Sequence, residues 1–213
     1  MTTTHAHDHG ADLELSLDFV NTLEHCDTRS HAEFGHTHEA LTSPDVALAF
    51  FQTHGVGHRD AIEGCADRIR GGPDAWLEKV RRVRAALREV WDAETEQRAV
   101  DPAAVETVNE VLRHRPAIQL TQGRDGLGVG HRHLSDPTDE ALARLAEPLV
   151  QAIARGQTDR FRVCANDECR YAFIDESRTG RRRWCDMATC GNRAKVARHR
   201  ARARAGEPGA VPN

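Results

Sequence analysis

Large side chains are scarce in this chain of 213 residues. Phe, Trp and Tyr together make up 5%, with a single tyrosine, and there are only two methionines. A core must therefore be built mostly from Leu, Val and Ala. No run approaches the roughly 18–20 apolar residues that span a bilayer, which excludes an integral membrane protein, and no membrane partner is expected. The opening MTTTHAHDHGADLEL has neither a basic start nor an apolar stretch, so no secretory signal is expected and the chain is expected to be cytoplasmic. There is no Gly-rich phosphate loop, no nucleophile–base spacing and no paired-carboxylate motif, so an enzyme is not expected. No internal repeat is present. In a reducing compartment the six cysteines read first as metal ligands or core residues rather than as disulfides.

What is present is a division of charge. Residues 160–204 hold thirteen Arg/Lys against five Asp/Glu, whereas residues 1–159 hold sixteen against twenty-seven. The net charge of −4 conceals this contrast. A basic part beside an acidic one points to nucleic-acid binding by the basic part, and the acidic part would repel phosphate. An acidic body with a solvated basic tail has the same composition.

The pattern along the chain predicts an α+β fold: a mainly helical N-terminal domain with a small sheet, then a small metal-dependent module. The length suits one or two domains. Residues 1–12 are polar and His-rich and are expected to be disordered. Residues 13–24 alternate and then run apolar, as a strand entering a short helix. Residues 26–43 read as a loop. Ser43-Pro44-Asp45 opens a helix, with Ser43 as N-cap, that should stop at Gly55. Residues 60–70 form a short amphipathic segment. The strongest period begins at Pro73-Asp74: Trp76, Leu77, Val80, Val83, Ala86, Leu87, Val90 and Trp91 make the stripe of a long helix. Another helix follows Asp101-Pro102 and ends before Pro116. Residues 117–121 and 127–134 predict two short strands. Residues 138–155 predict a helix kinked at Pro148 and closed by Gly156. The predicted domains are 13–158 and 159–204, with a disordered tail over 205–213.

The sharpest local signal is Cys164-x4-Cys169, fifteen residues, then Cys185-x4-Cys190. Two close thiol pairs separated by a loop can supply the four soft ligands of a tetrahedral zinc site. RFRVCANDECRYAFID reads as two strands whose turn carries the first pair. NRAKVARHRARAR is a run of helix formers that places Cys190 at a helix start, where a thiolate gains from the helix dipole. This is a treble-clef-like layout. Phe161, Val163, Tyr171, Phe173, Ile174 and Trp184 make too small a core for about 45 residues to fold unaided, so the metal would supply folding energy. With four cysteine ligands no position stays open for catalysis. Cys26 and Cys65 lie outside the pattern.

Cys190-Gly191-Asn192-Arg193 resembles the signature of the CGNR zinc-finger family. DESRTGRRR over 175–183, Trp184-Cys185-Asp186-Met187 and Asn192 to Ala197 extend the likeness across about residues 160–204. In that family the finger follows an ABATE domain, and LDFVNTL over 17–23 resembles the start of one. The resemblance implies a bacterial transcription regulator, described as stress-induced, with zinc ligands at Cys164, Cys169, Cys185 and Cys190. It also favours DNA over RNA as partner. The excess of histidine near the N-terminus departs from the usual pattern.

Candidate nucleic-acid contacts form two clusters: Arg178, Arg181, Arg182 and Arg183 before Cys185, and Asn192, Arg193, Lys195, Arg198, Arg200, Arg202 and Arg204 on the last helix. Two such clusters on one zinc scaffold could grip phosphates on either side of a groove, and the planar arginine fork also suits guanine edges. Asn192 reads as a cap or turn residue. Ala194, Ala197 and Ala201 recur at helical steps and are expected to pack on the finger. In the N-terminal domain, Asp18, Asn21, His131 and His133 are candidates for an effector pocket, the effector being a small molecule or a protein. A shift in the finger's availability when that domain changes state would couple the two. A homodimer is compatible with this reading. The alternatives are a metal sensor built on His25, Cys26, His31, His36, His38, His131 and His133, a protein-interaction module, and an enzyme using Asp18, Asn21, Glu24 or the histidines. HAHDH at residues 5–9 falls one residue short of a metallo-hydrolase motif.

Overall fold

The computed structural model describes residues 9–26, 34–56, 72–124 and 126–206. The chain forms two compact units. One comprises residues up to 23 together with 39–159, and the other comprises 160 onward together with strand residues 24–26 and 34–38. The described residues contain six α-helices and three two-stranded sheets, an α+β composition.

The first unit begins with α1 (His9–Val20); β1 (Leu23–Cys26) follows it in the chain and pairs with β2 (Phe34–Glu39), and all of these two strands but Leu23 and Glu39 belongs to the second unit. This corrects two expectations. Residues 13–20 are helical and the strand comes after them, and part of the expected loop 26–43 is β2. The helix also starts at His9, inside the stretch expected to be disordered; residues 1–8 and the predicted segment 60–70 with Cys65 lie outside the described residues. The buried face of α1 is Ser16, Leu17, Phe19 and Val20, and the Ser16 hydroxyl donates to the Leu145 carbonyl at 2.7 Å.

Three of the next helices start alike, with a capping oxygen and proline in the first turn, where the missing N–H is not needed. In α2 (Pro44–Thr53) the Val46 amide donates to Ser43 Oγ at 3.3 Å. In α4 (Pro102–Leu112) the Ala103 amide donates to Asp101 at 2.9 Å, and in α5 (Pro137–Ala154) Thr138 donates to Asp136 at 2.9 Å. α2 stops where expected, with Gly55 at φ +63°, and α5 stops before Gly156 at φ +66°. α5 runs through Pro148 without ending.

Between these lies α3 (Pro73–Glu96), the longest element. Its predicted stripe is the buried face: Leu77, Val80, Val83, Ala86, Leu87, Val90 and Trp91 are all buried, and Trp76 half-buried. Trp91, Phe19, Phe51, Leu41, Leu87, Leu142, Leu145 and Leu149 are among the largest side chains of this core. Arg84 is also buried on α3, where it grips both oxygens of Glu39 at 2.5 Å and the Thr22 hydroxyl at 3.2 Å. Burial pushes the Glu39 carboxyl up, but the Arg84 fork, the Leu41 amide and the Arg81 charge outweigh it and hold the group below its ordinary value.

The two strands after α4 form one antiparallel hairpin, β3 (Ala117–Gly123) with β4 (Gly126–Arg132), in register from Ala117↔Arg132 to Gly123↔Gly126. Among the described residues no helix is long and apolar enough to cross a membrane.

Candidate metal centre

Among the described residues of the second unit, the buried apolar side chains besides cysteine are Phe161, Ala172 and Phe173. β5 (Phe161–Val163) pairs antiparallel with β6 (Ala172–Ile174), and the turn between them carries Cys164 and Cys169. The Cys164 amide donates to the Tyr171 carbonyl at 2.9 Å, and the Cys169 and Arg170 amides both donate to the Asn166 carbonyl. Arg170 has φ +51°, the left-handed conformation that closes this knuckle. Cys164, Cys169, Cys190 and Phe173 form one buried cluster, with Tyr171, Trp184 and Cys185 packed against it.

The second pair is set by a five-residue π-helical turn, Met187–Gly191, leading into α6 (Asn192–Gly206). Asp186 caps the turn by accepting from the Thr189 amide and hydroxyl, each at 2.8 Å. The Thr189 hydroxyl, the Thr189 amide and the Ala188 amide hold the Asp186 carboxyl below the ordinary carboxylate range. Gly191 is buried in this turn, and a Cβ there would lie 2.8 Å from Met187 Sδ, the far end of a flexible, exposed side chain that can move aside. Asn192 Nδ2 donates to the Ala188 carbonyl at 2.9 Å and so fastens the start of α6. In the CGNR tetrad, then, the cysteine is a ligand, the glycine is buried in the turn, the asparagine is a staple and Arg193 is half-buried.

All four Sγ atoms lie within 4.8 Å of one another. Cys169 and Cys185 are 3.5 Å apart, and Cys185 and Cys190 3.9 Å. Zinc–sulfur bonds of about 2.3 Å in a tetrahedron put the sulfurs about 3.8 Å apart, so this donor set fits one zinc ion. Asn166 Nδ2 points at Cys190 Sγ from 3.7 Å, a donor suited to a thiolate. Hydrogen bonding with Cys164 and Cys169, and then burial, pushes the Cys185 thiol far above its ordinary value. Four thiols this close cannot all ionise without a cation among them, and a zinc ion supplies that charge. The ion is a structural cofactor, completing a core that the aromatics alone leave too small. Among the described residues these cysteines are the one cluster of three or more metal-ligating side chains. The side chains of His25, Cys26, His31, His36 and His38, on which the metal-sensor alternative rests, lie outside the described ones.

The loop before Cys185 is organised from beneath. Asp175 is buried and accepts from the Ser177 and Arg182 amides at 2.9 and 2.8 Å. Hydrogen bonding from Ser177 and from the Arg182 amide keeps its carboxyl below the ordinary range. Arg160 donates to the Ser177 carbonyl and Arg162 to the Gly180 carbonyl, each at 2.8 Å. Arg182 points inward: its guanidinium donates to the Trp184 and Cys185 carbonyls and lies 5.1 Å over the Phe173 ring. It is a strut of the finger, which sets it apart from the expected contact cluster. Arg178, Arg181 and Arg183 are exposed, with Arg183 lying 5.3 Å over Trp184. Sequence reading missed Arg160, Arg162 and Asp175, although D-x-S at 175–177 and D-x-x-T at 186–189 are legible turn and cap patterns.

On α6 every residue from Lys195 to Ala203 is exposed. Ala194 is half-buried, but Ala197 and Ala201 do not pack on the finger as expected. Lys195, Arg198, Arg200 and Arg202 all face solvent, while the side chain of Arg204 lies outside the described ones.

The candidate effector residues of the first unit do not share one site. Asp18 lies 3.7 Å from His54 Nδ1, and Asn21 is buried just beyond α1. His133 Nδ1 meets both oxygens of the buried Glu140, at 2.7 and 2.8 Å. Only His131 lines the cleft of about 670 Å³ in this unit. That cleft is walled by Leu13, Leu15, Val56, Ile118 and Pro148 and by the cationic or titratable Arg115, Arg144, Arg155, His54 and His131. Glu147, paired with Arg115, is the one carboxylate on its wall. These side chains come from separate elements, so no local motif announces them.

Residues 160–203 match the family described as "CGNR zinc finger". Residues 13–156 match the ABATE family, whose description reads "Putative stress-induced transcription regulator". A comparison with curated proteins found no match.

Proposed function

Since the chain belongs to the ABATE family of transcription regulators and ends in a CGNR zinc finger, we propose that it regulates transcription by holding duplex DNA through that finger and its basic helix. The observation that carries this reading is the composition of the chain from Met187 to Gly206. It contains six Arg/Lys and no Asp or Glu, and the described part beyond Ala194 is exposed on every side. A helix that is polar all round gains nothing from packing, and its like charges repel one another. A polyanion satisfies both conditions, and DNA offers one charge per about 1.7 Å of axis. Arg178, Arg181 and Arg183 add an exposed second cluster on the same zinc-braced unit. In this reading Lys195, Arg198, Arg200 and Arg202 hold phosphates, while Arg193 lies nearest the zinc-bound turn.

The cleft of the first unit supports the sensing half of the proposal. Its volume lies within the range of small-molecule sites, and cations outnumber its one carboxylate. The effector it suits is a small anion with an apolar portion. Fluorescence anisotropy of the zinc-loaded protein with labelled duplex DNA tests the reading, with an acidic protein and duplex RNA as competitors. Salt-dependent binding that DNA competes away and the acidic protein does not is the expected result. Preference for the acidic protein would transfer the basic helix to protein interaction and refute the DNA assignment.

A further inference from the structure

The β3–β4 hairpin stands out from the rest of the first unit because it is exposed on both faces. Directly paired residues of an antiparallel hairpin point to the same face. The register pairs Leu120 with Val129, Gln122 with Leu127 and Ile118 with His131, so all six share one face. Ile118, Leu120, Leu127 and Val129 on that face are each 70–71% exposed. The other face is thinly clad, with Gly128 and Gly130 beside Thr121.

Two further features distinguish this hairpin from an ordinary surface ribbon. Among the described residues it is a two-stranded sheet, so each seven-residue strand has one edge without a strand partner there. Neither edge has the lysine or proline with which proteins usually guard against pairing, and Arg132 at the very end is the only Arg, Lys, Asp or Glu in either strand. A solitary hairpin is also marginal in water and needs a covering layer.

We infer that this apolar face is a homodimer interface, covered by the same face of a second copy of the chain. The exposed aliphatics present on the order of 500 Å² of apolar surface, near the limit a monomer tolerates. Two such faces together bury about 1,000 Å², the threshold for a specific interface. The face carries no carboxylate, lysine or arginine to select a partner of opposite charge. An apolar face of this kind can pair with its own copy about a two-fold axis, the same patch on both subunits. Ile118 and His131 also line the cleft, whereas Leu120, Leu127 and Val129 lie outside its wall. A dimer would present two fingers to one duplex and so raise the avidity of the proposed DNA contact.

The experiment is sedimentation equilibrium of the full zinc-loaded chain from about 1 to 100 µM, with hydrogen exchange of the β3 and β4 amides over the same range. The wild type should approach twice its 23.6 kDa mass, with these amides gaining protection in step. Leu120→Glu with Val129→Glu, both at exposed positions, should remain a monomer of unchanged helicity and zinc content. Leu120→Met should dimerise as the wild type does. A wild-type monomer throughout the range, a dimer that persists in the double variant, or dimerisation without added protection of the hairpin would each overturn the inference. So would a monomer whose hairpin is already protected, since another occupant would then cover the face. None of these measurements involves DNA, so they stand or fall separately from the DNA-binding proposal.

Discussion

Replacing Arg198 and Arg202 with alanine should change how salt weakens DNA binding more clearly than it changes anything else. The two residues are four apart on α6, on one stripe with Lys195, and all three are exposed. Arg198 Nε donates to the Ala194 carbonyl, at 3.3 Å, one turn back on the same helix. Alanine is the best helix former, so the double variant keeps α6 intact. Each arginine on a phosphate contributes about 0.9 to the slope of log affinity against log salt, so losing two lowers the slope by about 1.8. Between 50 and 200 mM salt, the wild type should therefore lose about 12-fold more affinity than the variant. The loop arginines contribute equally to both proteins and cancel in this comparison. Anisotropy titrations at four salt concentrations measure it, using two unrelated duplexes. The slope should fall equally on both duplexes, because phosphate contacts carry no sequence information. An unchanged slope would show that these residues do not touch phosphate, and α6 would lose its assigned role.

The remaining predictions concern the scaffold. Zinc retention should fall with acid, because each of the four cysteines must shed a proton to ligate and the Cys185 thiol is pushed up in the absence of metal. Chelator competition at pH 6, 7 and 8 should show weakest zinc binding at pH 6, approaching four orders of magnitude per pH unit where all four are protonated when free. Arg84→Ala should destabilise the first unit by about 2–4 kcal/mol in a urea melt, since the part-buried Glu39 loses the fork on both its oxygens and keeps the looser Arg81 contact at 3.6 Å. Glu39 is held below its ordinary value in the folded chain, so its contribution is complete above the ordinary carboxylate pKa and is lost as pH falls through the folded value. The gap between wild type and Arg84→Ala should accordingly narrow in acid. Asp175→Asn should speed zinc loss to a chelator, because a carboxylate accepting two loop amides is replaced by a weaker acceptor.

Where one local rule governed, the sequence was enough. The Pro73–Glu96 stripe, the Ser43 cap, the helix start at Asp101-Pro102 and the four-cysteine spacing each combine a period or motif with a single physical cause. The start of α1 reads as a strand because Leu13, Leu15 and Leu17 alternate, while its buried face includes Ser16. A serine on that face looks polar until its hydroxyl finds the Leu145 carbonyl, a partner 129 residues away. β2 was missed because FGHTHE has no apolar alternation. Ala197 and Ala201 have helical spacing but nothing to pack against, so the period signalled a helix and not a contact. Arg182 looked like its neighbours Arg181 and Arg183, and only the fold turns it inward onto Phe173. The cationic cleft was illegible because it is assembled from α1, the end of α2, the β3–β4 hairpin and α5.

One titration tests the central claim most directly. A chelator is added to the DNA-bound protein while zinc release and DNA anisotropy are followed together. The account predicts one zinc per chain, with DNA released in proportion to metal lost. DNA that stays bound after the zinc has gone, or purified protein with no tightly held zinc, would contradict it.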